Sequence, residues 1–210
     1  MLFLIVLGLF IVKGPMKWAL LVATILSILL SWGKNFMGFT DFFIDYIPMY
    51  SKFRTVSSIL VVAEFTIPLL GMLALKEWVE RPQLIKERMK DFLISFGLTG
   101  GLALLFALAP RVFFSSYVST MEMHALQGIP ADQLVPLLAN LEEVRMSMFT
   151  ADAWRSFFII LIGVALLWSY SAGKLKPVTL VGSLIVLCLV DMWDVNKRYL
   201  YDGQFVEKIE

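Results

Sequence analysis

The chain has 210 residues, of which 59% are hydrophobic and 17% charged, and its mean hydropathy is +0.80. This composition excludes a disordered chain and lies outside the usual range of soluble domains. The net charge of +1 gives no indication of nucleic-acid binding. The single cysteine, Cys188, excludes an intrachain disulfide, and the single histidine, His124, excludes a His-rich metal cluster within the chain.

Apolar runs alternate with shorter polar segments along the whole chain. They cover residues 1–12, 18–32, 55–75, 92–109, 154–170 and 178–193. A helix needs roughly 20 residues to cross the hydrocarbon of a bilayer, which the third run has and the last three approach. The tryptophans lie at or near the edges of these runs, where indole rings favour the membrane interface: Trp18, Trp32, Trp78, Trp154, Trp168 and Trp193. The sequence therefore predicts an all-α, polytopic transmembrane helical bundle with about six spans.

Basic residues are concentrated in the short connections between the runs. Segments 13–17, 76–91 and 172–176 hold half of the 18 Lys and Arg residues, which predicts that these segments are cytoplasmic. The longer segments 33–54, 111–153 and 194–210 are then external, and so are both ends of the chain. Because the first run is too short to span, we expect a piece of a larger membrane protein. Residues 1–193 would form a partial transmembrane domain, and residues 194–210 the truncated start of an external, periplasmic segment.

Two of the external segments contain amphipathic patterns. We expect Thr40 to cap a short helix that carries Phe42, Phe43, Ile44 and Tyr46. In the second segment apolar residues recur at helical spacing, after Pro130 and Asp132, which suit the first turn of a helix. We expect Thr150 with Asp152 to cap the next span. These outer-loop helices are either linkers or the roof of an outward-facing cavity. The second pattern consists of Leu134, Leu137, Leu138, Leu141 and Met148.

The entry to the third run is the first candidate site. Lys52 and Arg54 lie there beside Tyr46 and Tyr50, at the expected outer boundary of the membrane. Arginine offers a planar fork for phosphate and lysine a point charge, while tyrosine adds a hydroxyl and a ring for a sugar or a lipid tail. The alternative is that these basic residues simply meet lipid headgroups.

Glu64 is the second candidate, because it lies near the middle of the third run. A carboxylate in hydrocarbon must face a cavity, find a partner or stay protonated. Pro68 cannot donate to the Glu64 carbonyl, so we expect a kink at this point. The residue either lines a polar cavity or is a protonated acid hydrogen-bonded to a neighbouring helix.

Asp191 and Asp194 form the third candidate, where the last run ends. Their spacing of three residues puts both carboxylates on one face of a helix. Two such groups can hold a cation or act in acid–base chemistry. They can equally be the solvated end of a helix.

A resemblance to a known family rests on two stretches. The run Tyr46-Ile47-Pro48-Met49-Tyr50-Ser51-Lys52-Phe53-Arg54 precedes a long apolar run and matches the pattern Y-x-P-x-x-x-K-F-R. In this signature the chain resembles the YfhO-like bacterial membrane proteins. The stretch 191–200 is similar to the exit segment of Bacteroidetes-type members of that family. By this resemblance most of the chain corresponds to the later transmembrane part of the family.

The resemblance implies a GT-C-type glycosyltransferase that uses a polyprenyl-phosphate sugar to glycosylate cell-envelope polymers outside the membrane. It implies that Lys52 and Arg54 hold the donor phosphate, and that Tyr46 and Tyr50 line the sugar or lipid groove. The family's catalytic aspartate lies in the first outer loop, and no equivalent is identifiable here. We therefore do not expect this piece to be active alone.

The partners that follow from this interpretation are membrane lipids, a polyprenyl-phosphate-linked sugar and a cell-envelope acceptor, with no nucleic acid. The expected location is the bacterial inner membrane. No cofactor is identifiable in the sequence. A divalent metal in the full-length protein stays an open alternative. Two alternative functions stay open. One is a transporter or flippase for a lipid-linked or anionic solute, with Glu64 and Pro68 in its pathway, and the other is a scaffold without chemistry.

Overall fold

The structure is a computed structural model that describes residues 1–47, 56–114, 116–119, 122–123, 126, 128 and 130–199. Every regular element in these ranges is helical. Two 3₁₀ turns, Gly33–Phe36 and Val56–Ile59, precede α3 and α4. The helices are α1 Leu2–Ile11, α2 Met16–Ser31, α3 Met37–Tyr46, α4 Leu60–Glu80, α5 Leu84–Glu87, α6 Met89–Phe96, α7 Leu102–Leu108, α8 Pro110–Phe113, α9 Ala131–Ser171 and α10 Pro177–Tyr199.

Three helical segments are long and apolar enough to cross a membrane: Met89–Leu108, Asp132–Ser171 and Pro177–Lys197. The first is continuous because a π-helical turn, Gly97–Gly101, joins α6 to α7. The all-α prediction is confirmed for the described residues, whereas the count of about six spans is not confirmed. α1 and α2 have only 10 and 16 residues. α4 has 21 residues but carries Lys76 and Glu77 in addition to Glu64.

The chain divides into two compact units, Met1–Ser95 and Phe96–Glu210. In the first unit α4 packs against both α1 and α2. A Cβ on Gly8 would lie 3.1 Å from the Ala74 Cβ, so α1 and α4 approach closely because both residues are small. The contact with α2 is polar, since the Thr24 and Thr66 hydroxyl oxygens are 2.7 Å apart. Small residues and hydroxyl pairs of this kind are typical of helices that pack in lipid.

Trp78 lies in the core of the first unit and not at a wet interface. Its side chain is 0% exposed and stacks on Phe92 at 5.2 Å, and the Phe3 ring meets Phe92 edge-on at 5.4 Å. The indole Nε1 has no hydrogen-bond partner among the described residues. For this tryptophan the expected placement at the membrane surface is wrong, because helix α6 folds back over it. Trp18, Trp32, Trp168 and Trp193 are exposed.

In the second unit α9 packs against α7 and α10. α9 has 41 residues and runs from the second amphipathic pattern through the whole fifth apolar run without interruption. The predicted cap at Thr150 is therefore wrong, since its hydroxyl donates within the helix to the Met146 carbonyl oxygen at 2.8 Å. Pro130 and Asp132 do mark the beginning of the helix, as predicted.

The short helix α3 also begins earlier than predicted. It starts at Met37, so Thr40 is an interior residue and not its cap. The Thr40 hydroxyl donates to the carbonyl oxygens of Gly33 and Phe36, at 3.0 and 3.2 Å. Thr40 thus joins the 3₁₀ turn to the first turn of α3.

Candidate functional site

Only one residue of the predicted phosphate site lies in the described part of the chain. Tyr46 is the last residue of α3 and is 71% exposed, with its ring tilted against that of Phe42 at 5.0 Å. Tyr50, Lys52 and Arg54 lie outside the described residues. Their assignment to a phosphate site therefore stays a prediction.

Glu64 lies on the exposed side of α4, next to the exposed Phe65. The helix continues through Pro68 to Glu80. Among the described residues no hydrogen bond or ion pair is found for the Glu64 carboxylate, and the polar contact with α2 is made by Thr66 instead. Whether Glu64 takes part in function stays a prediction.

Asp191 and Asp194 meet an arginine from the neighbouring helix. Arg155, on α9, donates from Nη1 to Asp194 Oδ2 at 2.9 Å, and its Nε lies 3.5 Å from Asp191 Oδ1. Asp152 adds a weaker contact, 4.0 Å from the same Nη1. We call these four residues the Arg155 cluster. In the sequence Trp154 precedes Arg155 at the start of the fifth apolar run, and Trp193 precedes Asp194 at the end of the sixth.

The Arg155 cluster has more acidic than basic groups. One guanidinium faces three carboxylates, and the arginine side chain is only 28% exposed. Its Nε is shielded from solvent and has no hydrogen bond, although Asp191 is within ion-pair distance. Since the guanidinium occupies the space between the two aspartates, the described geometry is an interhelical ion pair. No set of three or more His, Cys, Asp or Glu residues suited to a metal ion is found in the described residues.

A second charged contact holds Tyr117 and Glu122 against α9. The two Nη atoms of Arg145 donate to the two carboxylate oxygens of Glu122, at 2.7 and 2.8 Å, and Nη1 also donates to the Tyr117 carbonyl oxygen at 2.9 Å. This bidentate geometry is the strong form of an arginine–carboxylate contact. We call the Arg145–Glu122 pair the outer clasp.

The electrostatics of the outer clasp favour a charged carboxylate. The side-chain hydrogen bonds from Arg145, and a bond from the Ser119 backbone N–H at 2.9 Å, lower the pKa of Glu122 from 4.5 to about 2. Ser119 and Glu122 are three residues apart, and this backbone bond is half of a capping box.

An aromatic cluster lies beside the outer clasp. The Phe149 ring on α9 meets the rings of Phe106, Phe114 and Tyr117 at 5.6, 5.3 and 6.0 Å. The Tyr117 hydroxyl donates to the Pro110 carbonyl oxygen at 3.1 Å. The clasp and the rings together fix one side of α9 to α7, α8 and the segment that follows them.

Two basic residues at these contacts were not singled out in the sequence. Arg155 follows Trp154 at the start of the fifth apolar run, and a charge at that position was a signal for a polar contact. Arg145 lies between the apolar residues of the second amphipathic pattern. The S-x-x-E spacing of Ser119 and Glu122 is typical of a helix start, but nothing in it indicates the arginine 23 residues later.

A hollow of about 450 Å³ is lined by the single segment 86–91, which shares no residue with the contacts described above. Arg88 and Asp91 form an ion pair of 3.1 Å there. Both signs of charge line the hollow, so it does not favour an anionic or a cationic ligand.

No family model matches the sequence, and neither a curated protein nor a solved structure matches it.

The outer clasp should make the stability of the protein depend on acid pH. A carboxyl whose pKa is lowered by folding stabilises the folded state above its ordinary pKa, and this contribution is lost as the pH falls from about 4.5 towards about 2. We expect the wild type to be more stable than Glu122→Gln at pH 6. The difference in melting temperature, measured in detergent micelles, should shrink steadily between pH 4.5 and pH 2.

The control for this measurement is Glu143→Gln, at an exposed position of α9, the helix that carries Arg145. It should change the melting temperature much less than Glu122→Gln at pH 6. A Glu122→Gln effect of equal size at pH 6 and pH 2.5 contradicts the assignment of the clasp as a charged pair.

The Arg155 cluster should couple α9 to α10 energetically. In a double-mutant cycle of Arg155→Gln and Asp194→Asn, we expect a coupling free energy of about 1 kcal/mol, because the pair is close and partly shielded. The cycle with Asp152→Asn should give a smaller value, since that contact is 4.0 Å long. Reversible unfolding in mixed micelles measures both. Equal coupling for the two aspartates would show that the Asp194 contact has no special role.

Proposed function

We propose that this chain is a membrane-embedded helical module of a larger cell-envelope protein. That protein is a glycosyltransferase that uses a polyprenyl-phosphate sugar at the outer face of the inner membrane. The observation that supports a membrane location is the presence of three helical segments long and apolar enough to span. In the apolar 18-residue stretch of each segment, only 22%, 11% and 6% of the residues are buried. Side chains that stay uncovered on such helices are suited to lipid contact.

The support for a lipid-linked sugar comes from the sequence signature that ends in Lys52, Phe53 and Arg54. In this proposal Arg54 and Lys52 bind the donor phosphate and stabilise it electrostatically as it leaves. Tyr46 and Tyr50 line the adjoining groove. The exposed ring of Tyr46 at the end of α3 is available for such a contact. The activity belongs to the whole protein, which would supply the catalytic aspartate.

One observation favours a second candidate, a transporter or flippase. Glu64 is an exposed carboxylate on a helix that is otherwise largely apolar, and Pro68 lies one turn away. Intramembrane acids of this kind commonly mark a solute or proton pathway. In this alternative Glu64→Gln in a well-expressed full-length protein abolishes transport, whereas the transferase proposal does not require the residue.

The topology should follow the distribution of basic residues. Single cysteines at Gln83 and Gln133, in a Cys188→Ser background, test the two sides, and both positions are exposed. We expect a membrane-impermeant thiol reagent to label Gln133→Cys in intact cells and to label Gln83→Cys only after the membrane is permeabilised. Labelling of Gln83→Cys alone in intact cells would invert the proposed orientation.

The phosphate assignment predicts that Arg54→Lys is damaging although it conserves the charge. A bidentate arginine–phosphate contact needs the planar fork, so we expect about tenfold or greater loss of affinity for a polyprenyl-phosphate sugar in the full-length protein. Lys52→Ala should weaken binding less. The assay is equilibrium binding to purified protein in nanodiscs.

The matched control is Lys197→Ala, because Lys197 lies over the Trp193 ring at 5.7 Å and away from the signature. Unchanged donor affinity in a folded Arg54→Lys protein would rule out a phosphate site there. It would favour the simpler role of a basic residue among lipid headgroups.

A further inference from the structure

We propose that the external part of α9 binds the same segment of a second copy of this chain, as a short parallel coiled coil. The surface is formed by Leu134, Leu137, Leu141, Val144 and Met148, which we call the α9 seam. The proposal rests on the membrane embedding proposed above, because insertion in a single orientation makes the helices of two copies parallel. It does not depend on the identity of the substrate.

The spacing of the α9 seam is that of a coiled coil. Successive seam residues are three, four, three and four positions apart, which is the alternation of a heptad repeat. Leu137 is 38% exposed, and Val144 and Met148 are each 49% exposed. These apolar side chains lie outside the fifth apolar run, so lipid in the membrane core is not their expected partner.

The α9 seam also contains the hole into which a partner side chain would fit. Leu137, Asn140, Leu141 and Val144 line a hollow of about 150 Å³. They occupy positions i, i+3, i+4 and i+7 of one helix. In a parallel coiled coil four residues in this arrangement surround one inserted side chain of the facing helix. With the two copies in register, the inserted side chain is the partner's Leu141.

The rest of this helix segment is already occupied or faces away. Arg145 and Phe149 hold it to the preceding external segment through the outer clasp and the aromatic cluster. Ala139 is exposed and lies on the face of the helix opposite to the seam. Among the described residues, these hydrogen bonds and ring contacts involve none of the seam side chains, so a second copy can approach the seam without displacing them.

Charge at the edges of the seam permits pairing of identical helices. The flanking residues on one side, Asn140 and Ser147, are uncharged. On the other side Leu138 is apolar, and the charge of Arg145 is neutralised by Glu122 in the outer clasp. In a parallel pair of identical helices these edges face each other, and like charges there would prevent association. The absence of unpaired charge at these four positions favours a second copy over an acidic or basic partner.

The test is disulfide cross-linking in native membranes. Leu141→Cys, in a Cys188→Ser background, should form a dimer on mild oxidation, because the Cα atoms of two facing seam residues come within the distance a disulfide can bridge. Ala139→Cys is the matched control on the same turn, and it should remain monomeric under the same conditions. A full-length protein retained in the membrane after carbonate extraction is used for both variants.

A second variant separates pairing from folding. Leu141→Lys places a charge in the seam of each copy and should raise the dimer dissociation constant in nanodiscs by about tenfold or more, with helicity unchanged. Three outcomes overturn the proposal: equal cross-linking of Ala139→Cys and Leu141→Cys, cross-linking of Leu141→Cys only to a chain of different mass, or unchanged association of Leu141→Lys. Release of the protein by carbonate instead contradicts the membrane embedding, so the two failures can be told apart.

Discussion

Many exposed side chains of the helices are apolar, and this constrains how the helices hold together. Exposed Leu105, Val178 and Val190 are typical of this surface. In the membrane environment that we propose, hydrophobic burial gives helices little reason to associate, because lipid is as apolar as the side chains. Association then depends on close packing and on the few polar contacts between helices. Gly8 against Ala74 is the first kind of contact, and Thr24 with Thr66 and Arg155 with Asp194 are the second.

The positions of the helices could be predicted because they depend on local sequence. Each apolar run coincides with a helix or with part of one, and Pro130 marks a beginning that the structure confirms. The caps could not be predicted in the same way. A threonine hydroxyl can accept from an N–H at a helix start or donate to the carbonyl four residues earlier inside a helix. Thr40 and Thr150 do the latter, and their sequence context does not separate the two cases.

The polar contacts were only half predictable, because each joins residues far apart in the chain. Asp191 and Asp194 were recognised as a pair by their spacing on one helix, but their partner Arg155 lies on α9. Helix pairing decided whether the two carboxylates would face water, a cation or an arginine. Trp78 shows the same limit, since its burial depends on Phe92 from a later helix. Most of the signature of the proposed phosphate site, from Pro48 to Arg54, lies outside the described residues, and the site therefore still rests on sequence.

The length of α9 has a mechanical consequence. At about 1.5 Å per residue its 41 residues extend for about 60 Å, roughly twice the thickness of the hydrocarbon. In the membrane embedding that we propose, one part of α9 spans the hydrocarbon and the part that carries Arg145 projects beyond it. Because the backbone hydrogen bonds of a helix run along its axis, a displacement of the projecting part is transmitted to the spanning part near Leu167 and Tyr170.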